Sequence, residues 1–278
     1  MIIWLASYPK SGNTLLRSIL GSYFYSSDGE IKFNDIYKIE QFPAIKHFKD
    51  INIDVSDEKK VFKNFINAQI HINEKNNKLK FLKTHSSLAK INGCNFTDLK
   101  NTFAAIYIVR DPRNIVSSFA HHYDLNIDEA TDVMLDSGRW LLRNELVFKT
   151  FLASWNINYN SWKQLKDKVL FIKYEDLITK KKNTLIKIFK FIQKLGAEDF
   201  EIDMKKINKV IKSSDFKNMQ QLEKKEDFKE GIMDKVSKGR KVFFRLGPEN
   251  NWRVTLDNKN RIKIETAFQY EMKELGYL

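Results

Sequence analysis

The first twenty residues constrain this chain more than any other stretch. Ile2, Ile3, Trp4, Leu5 and Ala6 form an apolar run of the length expected for a fully buried strand. A tight polar turn follows, Ser7-Tyr8-Pro9-Lys10-Ser11-Gly12-Asn13-Thr14, and then Leu15, Leu16, Ile19 and Leu20 at helical spacing. A strand that passes through a short loop into a helix aims backbone N–H groups and the positive end of a dipole at an anion. Lys10 adds a point charge, Ser11 and Thr14 add hydroxyls, and Gly12 lets a ligand approach the backbone. The loop reads as a phosphate loop. It departs from the nucleoside-triphosphatase pattern, in which glycine precedes the lysine and a hydroxyl waits for magnesium, because here Lys10 precedes the only glycine.

With 278 residues, 42% hydrophobic and 13% aromatic, the chain can bury a sizeable core, and one domain over residues 1–278 is expected. The net charge of +13 suits an anionic partner. The lysines are dispersed, however, so most read as solvated faces, and basicity alone does not separate ligand classes. A single cysteine, Cys94, excludes an intrachain disulfide and a cysteine metal cluster; in Asn92-Gly93-Cys94-Asn95 it reads as a loop or half-buried thiol. No run reaches the length of a membrane span. No basic segment precedes the apolar start, and Tyr8-Pro9-Lys10 ends it early for a signal peptide. A cytoplasmic location is the expectation.

Further along, Ser26-Ser27-Asp28-Gly29 reads as a turn, and residues 30–60 carry no clear pattern, with Phe42-Pro43 breaking any helix. Residues 61–72 are roughly helical. Lys80-Phe81-Leu82-Lys83-Thr84-His85 is a short strand with a polar end. Ligands of open α/β sheets sit outside the carboxyl ends of strands, so Lys83 and His85 emerge near Lys10 if the two strands are neighbours. Residues 103–109 are apolar throughout, as in a strand buried on both faces. Arg110 stands at its end, Asp111 suits a helix cap and Pro112 a first turn. Residues 121–162 look helical, with Trp140, Phe148, Phe151, Trp155, Tyr159 and Trp162 as a core stripe. His121 and His122 are adjacent and point apart on a helix, so no metal site is assigned. Residues 169–177 form another strand with a polar end. Helices are expected over 179–195, closed by Gly196, over 201–211 and over 258–275. The charged stretch 223–241 reads as a mobile or ligand-ordered loop, and no internal repeat is present.

Tyr8-Pro9-Lys10-Ser11-Gly12-x-Thr14 resembles the 5′-phosphosulfate loop of sulfotransferases that use 3′-phosphoadenosine 5′-phosphosulfate (PAPS). Lys83-Thr84-His85 is similar to the Lys-Thr-His motif of the cytosolic-type enzymes, whose histidine is the catalytic base; Ser86-Ser87 replaces the usual Leu-Pro. Arg110-Asp111-Pro112-Arg113-Asn114, with Ser118 eight residues after Arg110, is the most specific resemblance in the chain, to a family motif whose arginine and serine hold the 3′-phosphate. Tyr174-Glu175-Asp176-Leu177 is similar to a segment whose tyrosine contacts the adenine side. Ser214, Phe216 and Met219 match a Thr-Ser-Phe-x-x-Met segment at the adenine end, with Ser214 in the threonine's place. Phe244, Arg245 and Gly247 fall on a stretch like the Arg-Lys-Gly loop around the 3′-phosphate, with Leu246 in place of its lysine, and Asn251-Trp252-Arg253 parallels Asp-Trp-Lys. Leu15 stands where relatives carry a stacking tryptophan.

The resemblance implies a three-layer α/β/α fold around a mainly parallel sheet. It implies PAPS as donor, 3′-phosphoadenosine 5′-phosphate (PAP) as product, and no metal. Lys10, Ser11, Gly12, Asn13, Thr14, Leu15, Arg110, Ser118, Tyr174, Ser214, Phe216, Phe244, Arg245 and Gly247 are then the nucleotide-binding set. His85, Lys10 and Lys83 are the catalytic set. The expected reaction is in-line transfer of a sulfuryl group to a hydroxyl or amine. His85 takes the acceptor's proton, Lys10 and loop N–H groups stabilise charge on the departing phosphate, and Lys83 orients or polarises near the bridging oxygen. The acceptor is a small molecule or a glycan, not a nucleic acid, and the oligomeric state leaves no signal. Two other readings stand beside this one. A kinase-like phosphotransferase on a related scaffold needs a magnesium hydroxyl and an acidic partner, against the lysine-glycine order. A polyanion-binding protein without catalysis needs lysines clustered on one face.

Overall fold

A strand apolar at every position needs a layer of side chains on each of its faces. In the computed structural model, which describes residues 1–75, 79–196, 201–226, 228, 230–231 and 241–278, strand β1 (Ile2–Ser7) has both. It is the middle strand of a five-stranded parallel sheet completed by β2 (Glu40–Gln41), β3 (Lys80–Thr84), β4 (Thr102–Val109) and β5 (Val169–Lys173) in the order β2-β3-β1-β4-β5. Successive side chains alternate between faces. Ile2, Trp4 and Ala6 join Phe42, Phe96, Tyr107 and Trp162 in one layer, and Ile3 and Leu5 join Leu16, Leu20, Ile188 and Phe189 in the other.

Helix α1 (Asn13–Tyr25), with Lys181–Lys194 and Met204–Ser213, covers the second face. Helices α2 (Pro112–Tyr123) and α3 (Trp155–Trp162), with Phe65–Glu74 and Asn258–Ala267, cover the first. The fold is the three-layer α/β/α arrangement expected. Parallel pairing sets the carboxyl ends along one edge: Ala6 lies opposite Thr84, Ser7 opposite Ile108, and Val109 opposite Lys173. Tyr8, His85, Arg110 and Tyr174 therefore leave the sheet side by side. Among the described residues, no helix is long and apolar enough to cross a membrane.

Local signals hold where the chemistry is local. Asp111 caps α2 by accepting from the Arg113 N–H at 3.0 Å, Pro112 occupies its first turn, and Gly196 closes Lys181–Lys194 at φ 102°. The expected helix over 121–162 is wrong in its middle. Helix α2 ends at Tyr123, with Asp124 left-handed at φ 56°, and Ile127–Leu135 begins afresh behind an Asn126/Glu129 capping box. Trp140–Leu141 and Thr150–Phe151 then form an antiparallel pair, and helix resumes only at Trp155. The aromatic stripe is nonetheless core, because Phe148, Trp155, Tyr159 and Trp162 are all buried. Three other elements break where one was expected: the 61–72 helix at Asn64, the terminal helix at Phe268, and the 169–177 strand at Tyr174, which opens a helix. Most of the 223–241 stretch falls outside the described residues.

Trp4 links sheet and layer: its Nε1 donates to Thr102 Oγ1 at 3.0 Å, and its ring packs on Phe42, Phe96 and Trp162. Trp4→Ala should lower unfolding free energy by about 3–5 kcal/mol through the cavity it leaves. Trp4→Phe should cost only about 1–2 kcal/mol, because the Thr102 hydroxyl keeps Thr97 as partner at 2.9 Å. Urea midpoints of the two variants test the ordering; equal losses would mean that the hydrogen bond, not the packing, sets the effect.

Candidate active site

The loop after β1 is shaped by two left-handed residues, Lys10 at φ 65° and Gly12 at φ 98°. Gly12 has no room for a side chain: a Cβ there would lie 2.3 Å from Cδ2 of Tyr174. Tyr174 thus packs flat on the loop from the end of β5. The Arg110 guanidinium stacks on that ring, 4.3 Å from its centroid, and its Nη1 donates to the Lys10 carbonyl at 3.0 Å. Three strand ends meet at this point. Asn13 ties α1 back to β1, its Nδ2 donating to the Leu5 carbonyl at 2.9 Å and to Ser7 Oγ at 3.1 Å. The Ser11 hydroxyl and Arg110 Nε are buried and have no hydrogen-bond partner among the described residues.

His85 stands beside the same strand end. Its Nδ1 is 2.9 Å from the Ser7 carbonyl and 3.2 Å from Ser7 Oγ. A carbonyl only accepts, so Nδ1 carries the proton and Nε2 keeps its lone pair. Asn158 Nδ2 donates to the His85 carbonyl at 3.0 Å, and Asn158 Oδ1 takes the Tyr107 hydroxyl, which braces the segment from α3. Burial first, and the Lys83 charge second, push the imidazole down to about 3, so the ring is neutral at physiological pH. His122 is pushed down to about 3 by burial and by Lys10. The lysines respond likewise. Burial lowers Lys83, and burial followed by Lys83 lowers Lys10 to about 7. Lys10 Nζ lies 4.1 Å over the ring of Phe243, which stands nearly perpendicular to the His122 ring.

The remaining expected residues lie on the segments around this centre. Ser118 Oγ accepts from Asn250 Nδ2 at 3.2 Å, and Asn250 also bonds Ser117 and Asn114, which docks residues 247–251 on α2. Gly247 rests on the ring of Phe216, where a Cβ would come within 2.2 Å. Phe244 is buried in a cluster with Met219 and Phe228, and Glu223 accepts from its N–H at 3.0 Å. Arg245 is exposed, and its charge helps lower His121 after burial. Ser214 donates to the Ile211 carbonyl and accepts from Lys181 Nζ at 3.0 Å. Leu15 is half-buried against the second apolar layer, and Leu246 is half-buried.

Sequence reasoning passed over several residues of this centre. Glu230 sends its carboxylate between Arg17 and Lys83: Nη1 of Arg17 pairs with Oε1, while Thr14 Oγ1 and Lys83 Nζ approach Oε2 at 3.2 and 3.5 Å. Burial opposes its ionisation, but Lys83 and Arg17 outweigh that and hold the carboxyl well below the usual range. Arg17 carried a signal, a charge flanked by Leu16 and Ser18 on a helix that buries both. Glu230 carried none. Among the described residues, no group of three or more His, Cys, Asp or Glu side chains could hold a metal ion.

Comparison with known proteins bears on family and fold. The profile of the Sulfotransferase domain matches residues 2–276. Sulfotransferase 1 family member D1 of Mus musculus is 23% identical over 281 residues, covering 99% of this chain and 82% of that protein. Sulfotransferase 1B1 of Canis lupus familiaris is 23% identical, with 97% and 83% covered. Among solved structures, mouse sulfotransferase SULT7A1 complexed with PAP has a TM-score of 0.59 at 19% identity, over 97% of this chain and 83% of that one. A retinol dehydratase in complex with androsterone and the inactive cofactor PAP also scores 0.59, at 16% identity, over 98% and 80%.

The charge distribution makes Lys10 testable in the free protein. Its ammonium should titrate with a midpoint of about 7, read by ¹³Cε-lysine NMR and assigned by loss of the signal in Lys10→Met. Lys83→Met removes a like charge and should move that midpoint upward. A Lys10 midpoint in the ordinary lysine range would mean that its surroundings are wetter than the packing indicates.

Proposed function

This chain belongs to the sulfotransferase family, and from that premise we propose that it transfers a sulfuryl group from PAPS to a hydroxyl or amine by in-line displacement, with His85 as general base. The observation that carries the proposal is the meeting of Lys10, Arg110 and Tyr174 on one loop, with His85 bonded to the strand that feeds it. The residues fit the nucleotide. Arg110 Nε and the Ser11 hydroxyl are buried donors that need partners, and phosphate oxygens supply them. Lys10 and Lys83 are like charges whose repulsion an anion relieves.

Lys10, Ser11, Gly12, Asn13 and Thr14 would hold the 5′ end, Asn13 through its backbone because its side-chain amide is spent on β1. Arg110, Ser118, Arg245 and Gly247 would hold the 3′-phosphate, and Tyr174, Ser214, Phe216 and Phe244 would flank the adenine. Leu15 would offer an apolar surface where relatives stack a tryptophan, and Leu246 would leave one phosphate contact unmade. The bound donor supplies an activated sulfuryl group. The neutral Nε2 of His85 accepts the acceptor's proton, and Lys83 orients or polarises near the bridging oxygen. Because the similar retinol dehydratase binds androsterone, small molecules stand ahead of glycans in the acceptor panel.

Incubation with ³⁵S-labelled PAPS and that panel should label at least one acceptor. Absence of PAP binding by folded protein, or magnesium-dependent binding of ATP in its place, would overturn the reading. His85→Ala should reduce transfer by about 10²–10⁴-fold while PAP affinity, measured by calorimetry, stays within about threefold. Equal loss of both would make His85 a structural residue.

The Lys10 shift adds a pH dependence with a definite sign. Above about 7 the free lysine loses its charge, so PAP must recharge it to gain the contact. Affinity should therefore fall with rising pH, by up to about tenfold per unit above pH 7, with uptake of up to about one proton. Calorimetry in buffers of different ionisation enthalpy measures that uptake.

A further inference from the structure

Glu230 reaches the phosphate loop from 213 residues beyond its main partner, Arg17. Its position is built, not incidental. Phe228, two residues earlier, is buried between Phe33 and the Phe243–Phe244 pair, with ring centroids 4.5, 4.9 and 5.6 Å away. The Gly231 N–H, just after Glu230, donates to the Phe228 carbonyl at 3.1 Å. The carboxylate then lies on Thr14 and Lys83, two residues that the proposed function gives to the sulfonated end of the donor.

Arg17 explains why an anion sits there. Its side chain is 3% exposed, and Nη2 is fixed by the carbonyls of Ile36 and Ile39 at 3.2 and 2.8 Å. Those bonds hold the guanidinium whether or not Glu230 is beside it, and leave Nη1 aimed at the carboxylate. A buried guanidinium without a counter-ion is strongly destabilising, so this position requires a negatively charged partner. Carboxylate and sulfonate oxygens both accept charge-assisted hydrogen bonds from such a group. Around the loop, Lys10, Lys83, Arg17 and Arg110 outnumber the negative charges of Glu230 and the more weakly acting Glu223. A phosphosulfate carries two negative charges and suits the same cations better.

We propose that Glu230 is an internal anion seated in the subsite for the donor's phosphosulfate end, that the donor binds by displacing it, and that Arg17 then becomes a further cationic ligand of the displaced group. The inference rests on the PAPS reading for the identity of the ligand, and on Thr14, Arg17 and Lys83 for the place.

Glu230→Gln keeps the shape and removes the competing charge. It should bind PAP and inorganic pyrophosphate about tenfold more tightly than the unmodified protein, as expected for a site that is free about a tenth of the time. Adenosine 3′-monophosphate, which has no 5′ anion to seat, should bind both proteins alike. Arg17→Met in the Glu230→Gln background should abolish the gain. Unchanged or weaker PAP binding by a folded Glu230→Gln protein would overturn the inference, and so would an equal gain for adenosine 3′-monophosphate. If Glu230→Gln does not fold, Glu230→Asp, which draws the charge back by one methylene, must show a smaller gain of the same pattern; no gain overturns the inference. Should neither protein bind PAP, the PAPS reading itself fails, and pyrophosphate still reports separately on the subsite.

Discussion

Like charges brought together out of water are the constraint from which the rest of this site follows. Lys10, Lys83, Arg17 and Arg110 converge at the carboxyl edge of one sheet, all at least half-buried, where Coulomb repulsion is far stronger than in solvent. Proteins tolerate such a cluster only where something else holds the groups in place. Here Arg110 is pinned by the Lys10 carbonyl and the Tyr174 ring, and Arg17 by two carbonyls of the 36–39 turn. The residual strain shows in the lysines: burial and then Lys83 weaken the protonation of Lys10, and burial with the Arg17 charge weakens that of Lys83. An anion would relieve all of it at once.

The scaffold that can hold this cluster is the doubly covered sheet. Burial of Trp4, Phe42, Phe96 and Trp162 on one face and Leu16, Leu20 and Phe189 on the other keeps β1 immobile. Because every pairing is parallel, the four loops that matter start from rigid positions only a strand spacing apart. Asn13 carries that rigidity into the loop: it closes the first turn of α1 on the strand and at the same time orients Ser7, which sets the tautomer of His85. Electrostatic preorganisation of this kind depends on packing far from any charge.

What could be read from the sequence divides along the range of the interactions. The β1–loop–α1 unit, the Asp111–Pro112 helix start and the Gly196 stop are decided by neighbours in the chain, and all three stand in the structure. The emergence of Lys83 and His85 beside the Lys10 loop needed only the added assumption that their strands are neighbours, and they are. Residues 136–154 failed because aromatic spacing records burial and not backbone: Trp140 and Phe151 face each other across a two-strand pair, yet each stands at a helix-like distance from another ring in sequence. Asn250 and Glu230 could not be found at all. Each acts across more than a hundred residues, through a single side chain that no local pattern marks.

The same charges bear on His85. A buried histidine beside Lys83 and Arg17 holds its proton weakly, which keeps Nε2 available but also makes it a poor acceptor of a proton in transfer. Burial lowers its pKa whatever the ligand, whereas the contribution of Lys83 lasts only while that charge is unbalanced. An anion seated on Lys83 would cancel that smaller contribution and leave the larger one, burial, in place. Glu230 cancels part of it already, raising His85 slightly against the larger effects of burial and Lys83. A doubly charged donor in its place would cancel more. On the role proposed for His85, a bound donor would therefore remove only the Lys83 contribution, and burial would still hold the imidazole below its ordinary value.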